Sequence, residues 1–429
     1  MKFNVTHHRL SNGLLILCVE DHASPAISYQ VHIAAGTRNE KPGIIGISHL
    51  FEHLMFRGSK ELKPEEISRI IQAHGGSINA FTSKDNTSFF ENLPADKLEL
   101  AVRLEAERLE YLQLTQENLD VEREVVRDER KLRIVNSPYG LVDEQLYLAA
   151  FDQHPYQWPI SGFDSNLVSI TLDECLAFYR RHYAPNNCIV VIVGDIHTEK
   201  ALGLVEKYYG HLAPQTPPED VRCIEHPQRG EKRVLFKKVS MVEGLFAGFH
   251  IPGMQQEESI ALIALSNILS SGKSSRFYRK FIQPGRVIEL GTNAGFPPFI
   301  SRDPGLFELV ALAPLNTNME SLEHEVYAEI ERIQEDGPSD DEVKKAKKQI
   351  KSAMVRSVQT QMNKGLIVGI GQIRSGMSLY LDYFLEKLSS LSCATIQEVA
   401  ARYLRDDNRT VVMLVPVTEK ESAELGVLI

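Results

Sequence analysis

His49-Leu50-Phe51-Glu52-His53-Leu54-Met55-Phe56-Arg57-Gly58-Ser59 is the stretch around which this chain is organised. Read as a helix, it puts His49 and His53, four residues apart, on one face, with Glu52 beside them. Two imidazoles at that spacing can grip one metal ion, and a neighbouring carboxylate can serve as a general base. That is the donor set of a zinc hydrolase. The order is inverted relative to His-Glu-x-x-His, but the i, i+4 logic is the same. Composition alone yields such a pentapeptide in about one chain of this size in twenty-five, so context has to carry the reading. Ile44, Ile45, Ile47, Leu50, Phe51, Leu54, Met55 and Phe56 surround the motif, so the helix is mostly buried. Two histidines and a glutamate in an apolar helix need partners, because unpaired polar groups are costly to bury. A metal supplies one.

Catalytic zinc takes three protein ligands and keeps one position open. The stretch Thr115 to Arg130 reads as the start of a long helix, with Thr115 as N-cap and acidic residues in its first turn. Glu122 and Glu129 lie two turns apart on one face of it, and Val125 and Val126 make the region between them partly apolar. Taken singly, each glutamate is better read as a solvated helix charge.

With this second stretch, the chain resembles the pitrilysin-type M16 metallopeptidases. It is most similar to the M16B group of mitochondrial processing peptidases and their bacterial relatives. The resemblance runs along the whole sequence. Leu10-Ser-Asn-Gly13, Gly36-Thr-Arg-Asn-Glu40, the His49 to Ser59 stretch and Gly75-Gly-Ser-Ile-Asn-Ala-Phe-Thr82 come first. The Glu122 to Glu129 stretch, Pro138-Tyr-Gly140 and His154-Pro-Tyr156 through Gly162 follow in order. The resemblance implies that His49, His53 and Glu129 hold one zinc ion per chain. It makes Glu52 the general base, and Glu122 a supporting acid that is not itself a ligand. Zinc so held would lower the pKa of a water and polarise a carbonyl, with Glu52 taking the proton and passing it to the leaving amine. The resemblance also implies that Ser77 to Ser83 is an edge strand to which a peptide substrate adds as a further strand. There Asn79, Ala80 and Phe81 would contact the substrate, and Phe56 would shape the pocket for the residue after the cut. Ordinary core packing accounts equally well for both phenylalanines.

A chain of 429 residues is too long for one core. The proline-rich, polar stretch Ala213 to Gly230 reads as a linker, giving an N-terminal metal-bearing domain over 1–212, a linker over 213–230 and a C-terminal domain over 231–429. The halves share a signature. Thr171-Leu-Asp-Glu174 and Thr395-Ile-Gln-Glu398 both read as capping boxes. Tyr179 and Tyr403 follow at one offset, and the strands at Ile189 and Val411 come next. Ser339-Asp-Asp-Glu342 starts a counterpart of the helix carrying Glu129. Strands alternate with long amphipathic helices, so the fold class is α+β. The resemblance makes it two homologous α/β-roll domains facing each other across a chamber. Ser259 to Leu269, the expected counterpart of the metal helix, has neither His nor Glu, so only the first half carries the metal.

Many active members of the resembled family carry an Arg and a Tyr seven residues apart in the second half. Here Arg286 follows Arg279 at that distance and Val287 follows Lys280, and no Tyr occurs between Tyr278 and Tyr327. The resemblance therefore implies a zinc-bearing subunit whose partner of similar fold supplies the pair, with a homodimer as the alternative. The activity so implied is that of a zinc endopeptidase acting on peptides or unfolded segments. A non-catalytic core-type subunit of the same fold is disfavoured by the complete His49, Glu52, His53 and Glu129 set. A zinc hydrolase of small amides is disfavoured by the strand-like Ser77 to Ser83.

Net charge −10 argues against nucleic acid. No apolar run is long enough to span a membrane. The start, Met1 to Arg9, lacks a signal core or transit pattern, so a cytoplasmic location is expected, although a removed leader would leave no trace. Cys18, Cys175, Cys188, Cys223 and Cys393 have no ligand-like spacing and read as free buried thiols. His7, His8, His74, His154 and His250 read as surface or hydrogen-bonded core residues. His74 would serve the end of a helix before Gly75.

Overall fold

The first half of the chain runs β1 (Thr6–Arg9), β2 (Leu15–Glu20), β3 (Ala26–Ile33), α1 (Ile47–Leu54), α2 (Glu66–Ala73), β4 (Ser77–Thr82), β5 (Thr87–Pro94), α3 (Leu98–Tyr111), α4 (Gln116–Arg130), α5 (Gly140–Ala150), α6 (Asp164–Ser169), α7 (Leu172–His182), β6 (Cys188–Gly194) and α8 (Thr198–Tyr209). The second runs β7 (Lys232–Val239), β8 (Val242–Ile251), α9 (Glu258–Ser270), β9 (Glu289–Asn293), β10 (Gly305–Pro314), α10 (Met319–Asp336), α11 (Asp340–Ser357), α12 (Gln361–Ser375), α13 (Tyr380–Ser390), α14 (Cys393–Tyr403), β11 (Arg409–Val417) and α15 (Glu419–Leu425). This computed structural model describes residues 4–137 and 139–425, so Pro138 of the expected Pro138-Tyr-Gly140 stretch lies outside the described residues.

Two compact units form, and they are not the contiguous blocks 1–212 and 231–429 expected from sequence. The first comprises residues up to Lys131, Trp158–Cys223 and Val355–Asp382; the second comprises Leu132–Gln157, Ile224–Met354 and the chain from Tyr383. The chain thus places α5, from its first half, in the second unit, and α12, from its second half, in the first. A boundary drawn at the linker misses this because helix periodicity says which face is apolar, not which sheet covers it. Residues 213–229 do form neither helix nor strand. They are nevertheless docked: Gln215 exchanges hydrogen bonds with Asn186, and Glu225 accepts the backbone N–H groups of Asp152, Gln153 and His154.

The first unit's sheet has the order β1-β2-β6-β3-β5-β4, with β2 and β6 parallel and the other neighbours antiparallel. The second has the order β7-β11-β8-β10-β9, with β7 and β11 parallel. Without β1 the two orders are the same, and α1 and α9, α4 and α11, and α7 and α14 occupy matching places in the chain. The duplication read from the sequence is real, but its register differs. The cap of α14 is Ser392, whose side chain accepts from the Thr395 N–H, as Thr171 does for Glu174 in α7. Thr395 therefore lies inside the first turn, and Tyr403 ends its helix as His182 does, so it does not correspond to Tyr179. A second capping-capable residue three positions upstream took the role. Ser339 and Glu342 do cap each other reciprocally at the start of α11.

Strand alternation decides what each face meets. On β3, Ile27, Tyr29, Val31 and Ile33 enter the main apolar core, which also receives Leu50, Phe51 and Leu54 of α1. Ser28, Gln30 and His32 point the other way and are fully buried beneath α12. They form a hydrogen-bonded row: the Met362 carbonyl accepts from Gln30, Gln30 Oε1 lies 3.0 Å from His32 Nε2, His32 Nδ1 lies 2.8 Å from Ser88 Oγ, and Asn86 donates to Ser88. Burial pushes the His32 pKa down to about 3, so the ring is neutral and fits the row with its proton on Nε2. In the second unit α5 covers the sheet with Val142, Leu146 and Ala150 against Phe246, Leu306 and Val412.

The smaller expectations mostly match. Cys18, Cys175 and Cys188 are buried free thiols, whereas Cys223 is exposed and Cys393 half-buried. His74 caps α2, its Nδ1 lying 2.8 Å from the Ile70 carbonyl, with Gly75 at φ 77. Among the described residues no helix is long and apolar enough to cross a membrane.

α12 can lie over this polar row because Gly365 and Gly369 face it. A Cβ on Gly369 would stand 2.4 Å from His32 Nε2, and one on Gly365 the same distance from Gln30 Nε2. Both side chains are pinned by their partners and cannot yield. Gly369→Ala is therefore expected to lower the unfolding free energy by about 1–3 kcal/mol despite the better helix propensity of alanine. A urea titration reads this, and a midpoint at or above wild type would show that the packing is loose.

Candidate metal centre

α1 begins at Gly46, whose φ of 96 suits glycine and which has no side chain to cap with. Glu40 supplies the cap from a distance: its two oxygens accept the N–H groups of Gly46 and Ser48, both at 2.8 Å. Gly46 also packs on Gly162, and a Cβ on either would come within 2.7 Å of the other's Cα. Ile47, Leu50, Phe51 and Leu54 then fix the helix in the core, leaving His49 buried and Glu52 and His53 half-buried. α4 packs on α1, with the Thr115 side chain capping it through the Asn118 N–H and Val126 buried.

This packing brings two helices' polar residues together. Glu129 Oε2 lies 3.2 Å from His53 Nε2 and 3.9 Å from His49 Nε2. The ligand atoms of His49, His53 and Glu129 all lie within 4.8 Å of one another, and theirs is the one such group among the described residues. Metal bonds of about 2.0–2.2 Å in a tetrahedron set ligand atoms about 3.3–3.6 Å apart. The observed spacings bracket that value, so the residues fit a zinc ion. The two rings meet edge-on at 4.9 Å, as separate ligands of one ion can.

Glu122 does not join the three. Its Oε2 lies 3.2 Å from His53 Nδ1, and it is also paired with Arg57. A carboxylate on Nδ1 fixes the ring and leaves Nε2 for a metal. Burial raises the Glu122 pKa, but the His53 hydrogen bond and the Arg57 charge more than reverse this and hold it low. Burial opposes the His53 imidazolium, and Glu122, Glu52 and Glu129 together outweigh it, so its pKa is raised. For Glu52, burial is the largest influence and lifts its pKa; the Thr82 hydrogen bond and the His53 charge offset it only in part.

With this geometry established, the family comparison can be read. A family model described as "Insulinase (Peptidase family M16)" matches residues 15–163, and one described as "Peptidase M16 inactive domain" matches 169–350.

The chain belongs to the M16 peptidase family.

It is 29% identical to the zinc protease PqqE of Helicobacter pylori, over 95% of this chain and 92% of that one. It is 23% identical to a Bacillus subtilis protein named "Uncharacterized zinc protease YmxG", over 94% and 96%. Among solved structures, a protease from H. pylori superposes with a TM-score of 0.91 at 27% identity, covering 97% of this chain and all of that one. A Pseudomonas fluorescens "peptidase M16 inactive domain" has the same fold, with a TM-score of 0.84 at 18% identity, covering 97% and 98%. The fold is thus the mixed α+β, two-domain M16 fold.

The expected substrate residues lie on and beside β4, which ends its sheet; among the described residues no strand pairs with its outer edge. Asn79 is exposed, and its Oδ1 accepts the Ala80 N–H. Phe81 packs 6.3 Å from Phe90. Phe56 is half-buried, lying 6.3 Å from Phe89 with the Arg108 guanidinium 5.1 Å from its ring. In the second unit, three cations of the stretch lacking an Arg/Tyr pair are committed internally. Arg276 is bidentate to Glu342, Arg286 to Glu325, and Lys280 meets Glu329 at 2.7 Å.

Three residues of the centre escaped sequence reading: Glu40, Arg57 and Thr82. Arg57, four residues past His53 and just beyond the end of α1, had a legible signal. The other two act across loops and had none.

Two outcomes test the centre's construction. Glu122→Gln weakens the carboxylate that orients His53 and should lower zinc affinity about 10- to 100-fold, as read by chelator competition; unchanged affinity would make Glu122 a bystander. For Glu40, burial pushes the carboxyl from its ordinary 4.5 up to about 8, against its two hydrogen bonds. A folded-state pKa above the unfolded one favours the protonated form on folding. Its contribution is therefore full below about pH 4.5 and lost as pH rises through about 8. Glu40→Gln cannot titrate, so the Tm gap between wild type and variant should narrow across that window. A gap that widens would place the ionised form in the folded chain.

Proposed function

We propose that the chain is a zinc-dependent endopeptidase that cuts extended peptide segments. The observation that carries this is the convergence of His49, His53 and Glu129 beside Glu52. The M16 membership and the zinc-protease names of its relatives support it. When bound, zinc supplies Lewis acidity that makes water nucleophilic and polarises the scissile carbonyl. The chain supplies the rest. Glu122 holds the His53 ring by Nδ1. Glu52 takes a proton at its carboxylate and returns it to the leaving amine. Burial lifts its pKa, the direction that suits a group with both duties. The outer edge of β4 offers backbone hydrogen bonds to an added strand, with Asn79, Ala80 and Phe81 along it and Phe56 beside it. This recognises extended backbone with little demand on sequence.

We further propose that this is the zinc-bearing member of a pair. The region where the family's Arg and Tyr would stand has neither at the required spacing, and Arg276, Lys280 and Arg286 in it are bound to carboxylates of their own unit. A partner of similar fold would bring the pair.

Metal content and cleavage of a mixed peptide library, measured on one sample, test both statements. Wild type should bind one zinc per chain. Glu52→Gln should keep that zinc and lose cleavage by several orders of magnitude. Loss of zinc in the variant would contradict the role of base. Cleavage by the unaccompanied wild type would remove the need for a partner.

A further inference from the structure

Thr82 ends β4 beside α1, its hydroxyl 3.5 Å from the Ser48 carbonyl of that helix. The next four residues, Ser83 to Asn86, form the turn into β5. Ser83 is its hub, with Oγ donating to Asn86 and accepting the N–H groups of Asp85 and Asn86. One side of the turn is held by the loop before α1. Thr37 and Arg38 donate their N–H groups to the Ser83 and Lys84 carbonyls, and a Cβ on Gly36 would stand 2.4 Å from the Ser83 oxygen.

The other side is held by a residue from far along the chain. Arg374 reaches down from α12. Its Nη2 lies 3.0 Å from Ser83 Oγ and 3.1 Å from Asn86 Oδ1, and its Nε lies 3.4 Å from Asp85 Oδ2. Arg374, Asp85 and Asn86 are 4%, 3% and 0% exposed, so these charge-assisted bonds are made out of water, where they are strong and costly to break. Asn86 continues into the row of Ser88, His32 and Gln30 beneath α12. The turn therefore cannot shift without disrupting a buried charged network.

We propose that Arg374 is a positioning residue of the peptidase site: by clamping the Ser83 to Asn86 turn it fixes Thr82, and through Thr82 the line of β4 against α1, the helix that carries Glu52. This rests on the peptidase reading above. The bland reading is a buried ion pair that only adds stability. The two differ in what moves when the guanidinium is removed: the turn and the turnover number, or the melting point alone.

The test uses the full zinc-loaded chain, with its partner subunit present if activity requires one, as Arg374→Ala, Arg374→Lys and, as a packing control in the core away from the row, Val205→Ala. Hydrogen exchange is followed at residues 77–87 and in α1, together with zinc content, kcat and KM. In Arg374→Ala, exchange at the turn should quicken about tenfold or more while α1 and zinc content hold. The kcat should fall about tenfold or more, because small misplacement of a reacting group is expensive in rate. Millimolar guanidinium should restore part of the loss, and Arg374→Lys should lie between. Val205→Ala should lower stability without loosening the turn. Unchanged exchange at the turn overturns the proposal, as does a loosened turn with unchanged kcat, or an equal kcat loss in Val205→Ala. A wild type without metal-dependent cleavage would sink the peptidase reading itself, a result distinct from a turn that stays rigid without Arg374.

Discussion

Everything at the centre follows from one constraint: a helix sunk in the core, α1, carries His49, Glu52 and His53 within five residues. An apolar helix would need no more than its own backbone bonds. This one needs partners for each polar side chain, and the surrounding structure is arranged to provide them. Glu129 and Glu122 arrive from α4 at a two-turn spacing, so one helix face serves both nitrogens of His53. Thr82 arrives from β4, its hydroxyl 3.5 Å from the Ser48 carbonyl of the same helix. Glu40 arrives from a loop to answer the helix's own first N–H groups, because the glycine needed for close packing on Gly162 leaves no cap.

The second unit shows what the same fold does without that constraint. α9 holds the place of α1, and Ser259 to Leu269 is almost wholly apolar and buried. α11 holds the place of α4, and its reciprocal cap at Ser339 and Glu342 also engages Arg276 in a structural ion pair. The duplication thus supplied the scaffold twice, and only the α1 copy carries the polar residues of the candidate metal centre.

Legibility in the sequence tracked the range of the interaction. His49, Glu52 and His53 are readable because helical spacing is local. Thr115, Thr171 and Ser339 are readable because a cap spans three residues. Glu129 needed the family resemblance, since nothing local distinguishes it from Glu124 or Glu117. The exchange of α5 and α12 between units was not readable: an amphipathic helix advertises an apolar face without naming the sheet that covers it. The duplicated helix was legible but its register was not, because Ser392 and Thr395 are both good caps and only the fold chooses between them. The polar face of β3 was a false friend of another kind. Ser28, Gln30 and His32 alternate with apolar residues as on a solvated strand, yet α12 buries them all.

That last feature explains why α12 is so unlike an ordinary core helix. A helix covering a polar strand face must bring backbone and small residues close, or leave buried donors and acceptors unanswered. Gly365 and Gly369 let it approach, the Met362 carbonyl accepts from Gln30, and Arg374 closes the far end of the row at the β4–β5 turn. The same piece of backbone ends β4, the last strand of its sheet, where Thr82 meets the Ser48 carbonyl of α1. The candidate base on α1 and the strand edge beside it are therefore positioned together. A helix contributed by the distant half of the chain holds that piece, so the unit with the candidate metal centre depends on the second half of the sequence for its construction even though none of the candidate ligands come from there.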